Sequence, residues 1–228
     1  MNDLSIGYEA DRTDWSSDFN RSIFDSITNN PFFSSWKTMT IGFGSIAEKQ
    51  FDSKKLLNLL LSDKPKVSIK GYEEGLSTRG NYFLINRDHS YNGVRLQLKK
   101  EMILNKSVGL FQDYMVKLAI ETPQFKRLYG SQGSEAYDIQ KKHNIEQEKS
   151  LFSYMGWLTV VSPLAYNGFY EKEDLLKAPF YRVEEIKKDI VLIQAYKDPF
   201  DLENEESLNY LRKGVEYLNK NIIFLKEK

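Results

Sequence analysis

The sequence predicts an α+β fold: one domain over residues 1–228, with a mainly antiparallel sheet flanked by three to five helices. Three observations lead there. Apolar residues recur at helical spacing in some segments and alternate at strand spacing in others. Strand segments next to each other in the chain are joined by short, turn-rich stretches, which suits antiparallel pairing. No fixed-period repeat, low-complexity tract or Pro-rich linker interrupts the chain.

Taken in order, Phe19, Ile23, Phe24 and Ile27 predict a helix near 16–29, closed by Asn29-Asn30-Pro31. Lys37, Met39, Ile41 and Phe43 alternate with Trp36, Thr38 and Thr40 as a strand, and Leu56, Leu57, Leu60 and Leu61 mark a second amphipathic helix. Tyr82–Asn86 and Gly93–Lys99 flank a turn-rich Asp88–Asn92 and predict a β-hairpin. Phe111, Met115 and Leu118 place a third helix that ends before Pro123. The polar stretch 123–150 is expected to be a long connection with room for a short helix. Gly156–Ser162, Tyr181–Ile186 and Ile190–Tyr196 predict strands, and the unbroken apolar run Ile190-Val191-Leu192-Ile193 suits a central strand covered on both faces. A last helix is expected over about Glu203–Asn219, with Asp201 or Asn204 as N-cap, acids in its first turn, and Leu208, Leu211, Val215 and Leu218 as its buried stripe. Asn221–Leu225 is expected as a short closing strand.

Composition narrows the chemistry. The 228 residues carry 32 Lys+Arg against 32 Asp+Glu, so the formal net charge is zero, which argues against bulk nucleic-acid affinity. Aromatic residues make up 14% of the chain, enough apolar area to offset chain entropy and to exclude disorder over most of it. Without cysteine there is no disulfide framework, thiolate metal site or cysteine nucleophile. The two histidines, His89 and His143, are far apart in the chain and each stands in a polar, loop-like neighbourhood. The first residues show no secretory signal and no stretch approaches 18 consecutive apolar residues, so the expected location is the cytoplasm, with no membrane contact.

Charge is nevertheless uneven along the chain. Residues 198–211 hold Asp198, Asp201, Glu203, Glu205 and Glu206 without a base, and 49–70 hold six lysines against Asp52 and Asp63. The apolar residues interleaved with these runs make them charged faces of folded elements rather than disordered arms.

Motif by motif, catalysis finds little support. Gly42-Phe43-Gly44-Ser45-Ile46-Ala47 is a GxGxxA string after a strand, with Asp63 about where a ribose-binding acid would fall. A nucleotide-binding enzyme built on this loop is one reading; a glycine-kinked strand end is the commoner origin of so short a motif. Asp174 with Glu185-Ile186-Lys187 imitates the acids and lysine of metal-dependent nucleases, but acid-x-Lys triplets occur here no more often than chance allows, and a polar strand end explains them. There is no GxSxG, Walker, HExxH or EF-hand pattern. Tyr8, Tyr91, Tyr137, Tyr166, Tyr170, Tyr210 and Tyr217 are too many for all to be core, and tyrosines and acids are the groups that meet a basic protein surface.

Four stretches in this order together resemble the immunity protein 52 family of bacterial polymorphic toxin and type VI secretion systems. They are Phe19-Asn20-Arg21 running on to Phe32-Phe33-Ser34-Ser35-Trp36, the hairpin around Asn81–Leu98, Gly156-Trp157-Leu158-Thr159, and Val191-Leu192-Ile193-Gln194 followed by Asp198-Pro199-Phe200-Asp201. The likeness spans about 16–220 and departs where Lys187-Lys188-Asp189 replaces an expected glycine-containing turn. The resemblance implies a cytoplasmic protein that is not an enzyme, takes no cofactor or metal and does not touch nucleic acid directly. Its partner would be a cognate toxin, usually a nuclease of the restriction-endonuclease fold. It places the toxin-binding surface among Glu73, Glu74, Asp201, Glu203, Glu205, Glu206 and Tyr210, and gives Trp36, Gly156, Trp157, Asp198 and Pro199 structural roles. A scaffold module without a toxin partner is the remaining alternative.

Overall fold

The computed structural model describes residues 3–10, 17–32, 36–42, 49–62, 67–73, 82–87, 92–122, 125–132, 134–145 and 155–223. The chain divides into two compact units, one of residues 5–125 and one of residues 126–228 with 1–4. The fold class is α+β, as expected, and every strand pairing described below is antiparallel. Among the described residues five helices reach eight residues or more, and three shorter ones accompany them.

The unit of residues 5–125 carries β1 (Leu4–Ala10), α1 (Ser17–Thr28), β2 (Thr38–Ile41), β3 (Lys49–Gln50), α2 (Ser53–Leu60) and β4 (Val67–Tyr72). It continues with β5 (Tyr82–Arg87), β6 (Asn92–Leu98), α3 (Lys100–Lys106) and α4 (Val108–Glu121). Its strands run in the order β3-β2-β4-β5-β6-β1. The expected hairpin forms, with Tyr82 opposite Gln97 and Arg87 opposite Asn92. Alternation does its work here: Phe83, Ile85, Val94, Leu96 and Leu98 are buried while Leu84, Arg95 and Gln97 are half-exposed.

Helix α1 buries Phe19, Ile23 and Ile27 on one face. Its last carbonyls, which a helix cannot satisfy internally, are taken up by side chains brought from elsewhere in the unit. The Trp36 indole Nε1–H donates to the Ile27 carbonyl at 2.9 Å, Asn30 Nδ2 donates to the same oxygen at 3.1 Å, and the Tyr114 hydroxyl donates to the Ser26 carbonyl. Trp36 also meets the Phe83 ring edge-on at 4.8 Å, so its structural role joins helix to sheet.

The second unit holds β7 (Phe125–Ser131), α5 (Ser134–Lys142), β8 (Leu158–Val161), α6 (Pro163–Tyr166), α7 (Lys172–Leu176), β9 (Arg182–Lys187), β10 (Ile190–Gln194) and α8 (Glu205–Lys220). Its strands run β7-β8-β10-β9. β10 lies between β8 and β9, with Ile193 opposite both Thr159 and Val183, and Val191–Gln194 are buried, as its unbroken apolar run predicts. Trp157 is fully buried just before β8, and a Cβ on Gly156 would sit 3.0 Å from the Gly130 carbonyl of neighbouring β7, so the strand entry needs glycine for close approach.

Two expectations are corrected. The polar stretch 123–150 holds the short helix for which it left room, α5, but it is not otherwise a connection, because it also contains strand β7. In β7, Lys126 and Arg127 are half-buried, and the Arg127 guanidinium lies 5.3 Å from the centroid of the Tyr129 ring, so charged residues occupy positions that read as loop. α5 buries Ala136 and Gln140, and the Gln140 amide pairs with the backbone of Met155, donating to its carbonyl at 2.8 Å and accepting from its N–H at 3.1 Å. The expected strand 221–225 is absent over 221–223, where Asn221 instead ends α8 and its Nδ2 donates to the Tyr217 carbonyl; 224–225 lie outside the described residues.

α8 buries Leu208, Leu211, Val215 and Leu218 as its spacing predicts, each worth about 1.5–3 kcal/mol. Gly214 sits in the same stripe, and the buried Phe180 ring occupies the space a Cβ there would need. Gly214→Ala should therefore destabilise the protein by about 1–3 kcal/mol, although alanine favours an exposed helix by about 1 kcal/mol. A denaturant melt that shows Gly214→Ala equal to or more stable than wild type would refute this packing.

A candidate interaction site at the start of helix α8

The chain leaves β10 through Asp198-Pro199-Phe200-Asp201, where the Asp198 carboxylate accepts from the Phe200 N–H at 2.8 Å and Pro199 is buried. The aspartate thus anchors the turn through its own side chain. Asn204 then caps α8: its side-chain oxygen accepts from the Glu206 N–H at 2.9 Å. Of the two N-cap candidates Asn204 is the one used, and the helix begins at Glu205 rather than Glu203. Glu205 and Glu206 occupy the first turn, where the helix dipole favours negative charge.

Asp201, Glu203, Glu205 and Glu206 are all exposed. Three of these acids, Glu203, Glu205 and Glu206, line an open groove of about 730 Å³ together with His143, Leu208, Asn209 and Arg212. Helix geometry explains part of the set, since Glu205, Asn209 and Arg212 stand one and two turns apart on one face. His143 arrives from the turn after α5. The groove's charge is modestly compensated: Lys142 Nζ lies 3.2 Å from Glu203 Oε1, an exposed pair worth less than about 1 kcal/mol. Arg212 in the lining offsets a second charge, so a modest excess of carboxylate is left open to solvent.

Tyr210, one turn beyond Glu206, is half-buried, and its ring meets that of Tyr181 edge-on at 5.7 Å. Of the other tyrosines, Tyr166 and Tyr170 are buried, Tyr137 is exposed and Tyr217 is half-buried. Glu73 is half-buried after β4 in the unit of residues 5–125, and Glu74 lies outside the described residues. His143, Asn209, Arg212 and Tyr181 were not singled out by motif as partners of the acids. The helix period could have supplied Asn209 and Arg212, whereas nothing local in the sequence points from His143 to Glu203.

Gly42 ends β2 with φ +116° and donates its N–H to the Ser68 carbonyl at 2.8 Å, the conformation of a glycine-kinked strand end. Residues 43–48 and Asp63, the rest of the nucleotide-loop reading, lie outside the described residues, as do His89 and Tyr91.

Of the residues that imitate a nuclease motif, Glu185 is engaged in holding a hairpin, where its lysine partner is Lys172 rather than Lys187. Lys172 Nζ donates to Asp189 Oδ1 at 2.8 Å and to Glu185 Oε1 at 3.3 Å, and Glu185 Oε1 also accepts from the Asp189 N–H at 2.6 Å. The Tyr166 hydroxyl donates to the Asp189 carbonyl at 3.0 Å. Asp189 takes φ +62°, so an aspartate fills the left-handed turn position where the family resemblance leads one to expect glycine. Lys187 is exposed at the end of β9, and among the described residues no group of three or more His, Asp or Glu could hold a metal ion.

These contacts set the titration of the hairpin. The Asp189 N–H first, then Lys172, hold the Glu185 carboxyl below its ordinary range, and Lys172 does the same to Asp189. Hydrogen bonds to Asp189 and Glu185 raise the Lys172 ammonium above its ordinary value. Depressed carboxylates stabilise above their unfolded pKa of about 4 and lose that contribution as pH falls through the folded values. The raised lysine stabilises fully below about pH 10 and loses it as pH rises. Glu185→Gln with Asp189→Asn should therefore flatten the acid limb of melting temperature against pH below about pH 4, and an unchanged acid limb would contradict it.

No protein-family model matches the chain, and no curated protein does. Among solved structures it is similar to the Pseudomonas aeruginosa T6SS protein PA0821, with a TM-score of 0.56 and 11% sequence identity, covering 94% of this chain and 73% of that chain. At that identity the likeness is one of fold. Among the described residues no helix is long and apolar enough to cross a membrane.

Proposed function

We propose that this protein binds a basic protein partner through the acidic groove at the start of α8. In that role it would act as a cytoplasmic immunity protein that neutralises a cognate toxin, a nuclease effector of the restriction-endonuclease fold, by binding rather than by catalysis. The observation that carries the reading is the groove itself, in which Glu203, Glu205 and Glu206 open to solvent beside His143, Asn209 and Arg212. A nuclease cleft is basic because its substrate is a polyanion, so an acidic protein surface complements it and draws the two together over the Debye length. The ordered resemblance to immunity protein 52 and the fold likeness to a T6SS protein support the same direction.

The arrangement suits binding more than turnover. Its exposed acids have helix-dipole and surface roles, and Lys172, held by two carboxylates, is committed to a hairpin. No cofactor, metal or nucleic acid enters the proposal.

Co-expression with the effector encoded beside its gene should restore growth, and the purified proteins should associate without added cofactor. Continued killing in cells that contain folded, well-expressed protein would end the toxin reading. Glu203→Lys, Glu205→Lys and Glu206→Lys combined should slow association at low salt by about tenfold or more, with the effect shrinking as salt rises. The corresponding glutamine variant, which spares the helix start from three positive charges, should show a smaller slowing. Unchanged association rates in both variants would place the contact surface elsewhere.

A further inference from the structure

We propose that Asn167 is the site of a spontaneous covalent modification, in which its side-chain amide closes on the Gly168 backbone nitrogen and leaves an aspartyl or isoaspartyl residue in its place. The inference is independent of the binding role above.

The sequence holds Asn-Gly at two places, 92–93 and 167–168, and the fold treats them differently. Tyr166 to Phe169 form a type II turn between α6 and α7. Asn167 has φ −57° and ψ 129°, Gly168 has φ +89°, and the Phe169 N–H donates to the Tyr166 carbonyl at 2.9 Å. The positive φ is what requires glycine there. Both Asn167 and Gly168 are exposed, and a Cβ on Gly168 would meet nothing within 4 Å. Among the described residues neither the Asn167 side chain nor the peptide group joining it to Gly168 makes a hydrogen bond, while the N–H groups of Asn167, Phe169 and Tyr170 are all bonded.

That peptide group is the one the reaction must turn. At ψ 129° its nitrogen faces away from the Asn167 side chain. Rotation about the Asn167 Cα–C bond brings it to the side-chain carbonyl carbon, with no hydrogen bond lost from the plane itself and no side chain on Gly168 in the way. What resists is the turn's own bond from Phe169 to Tyr166. The other pair is held by a ladder: Asn92 lies opposite Arg87 and Gly93 opposite Asn86, so the same rotation there breaks strand pairing.

The chemistry needs only water. The Gly168 nitrogen gives its proton to solvent and bonds to Asn167 Cγ, and the side-chain nitrogen leaves as ammonia. Water then opens the cyclic imide, at the side-chain carbonyl to give aspartate or at the main-chain carbonyl to give isoaspartate. Either product adds a negative charge to the turn. Isoaspartate also adds a carbon to the main chain between Tyr166, whose hydroxyl donates to the Asp189 carbonyl at 3.0 Å, and Phe169, whose carbonyl accepts from the Ile223 N–H at 2.9 Å. The modification therefore acts on a tether of the β9–β10 hairpin and on a tether of the chain after α8.

Peptide mass mapping of the folded protein incubated in mildly alkaline buffer, with a denatured sample alongside, tests the assignment. In the folded protein Asn167 should convert about tenfold or more faster than Asn92, because opening a strand pair costs more free energy than opening an exposed turn. In denaturant, where only the shared Asn-Gly pair remains, the two should convert at similar rates. An intact Asn167 in folded protein whose denatured sample converts overturns the inference, as does equal or faster conversion at Asn92. A preference for Asn167 of the same size in denaturant also overturns it, since the selectivity would then belong to the flanking sequence and not to the turn.

Discussion

The seat of α8 is a ring resting on a glycine. Because Gly214 has no side chain, the Phe180 ring fills the place of its Cβ and the helix backbone closes on the segment that leads into β9. One turn earlier along the helix, the residue after Phe180 meets Tyr210, so the Tyr181–Tyr210 contact is a geometric consequence of the Phe180–Gly214 one. Another turn earlier lie the acids. A glycine in a helix interior costs about 1 kcal/mol against alanine, and here that cost lets the helix that carries Glu205, Glu206 and Tyr210 close on Phe180.

The acids at the start of α8 serve the helix before they serve any partner. Asn204 supplies the cap, and Glu205 and Glu206 meet the partial positive charge of the helix terminus. That interaction leaves the carboxylates exposed, so the helix gains stability without burying them. Different conditions hold at the β9–β10 turn, where Glu185, Asp189 and Lys172 turn their charges on one another and leave less for a ligand. The same residue types thus divide into inward-paired and outward-facing groups, and only the second set offers a partner a field.

Long periodic elements were legible in the sequence. Helix α8 with its Leu208-Leu211-Val215-Leu218 stripe, the β5–β6 hairpin and the buried strand β10 all carry their burial in their spacing. β7 was not legible, and α5 only as room for a short helix, because arginine and lysine cover apolar surface with their stems and Gln140 satisfies its buried amide on the Met155 backbone; both look polar to any pattern of hydrophobicity. At the candidate site the acids could be named from their clustering, and Tyr210 from its residue type. His143 and Tyr181 could not, since each reaches the surface through tertiary contacts that no local spacing encodes.

The short turn at Asp189 also bears on the order in which pairings become affordable. Closing β9 on β10 spans Lys187 to Ile190, whereas pairing β7 with β8 must bring Arg127 to Val161, a span roughly ten times as long that costs about 2 kcal/mol more in chain entropy. The left-handed aspartate closes that hairpin locally, and its lysine bridge and tyrosine hydroxyl come from 17 and 23 residues up the chain, nearer than the β7 partner of β8. It can exist as a template before its neighbours arrive, giving β8 an edge to join and α8 a ring to settle on.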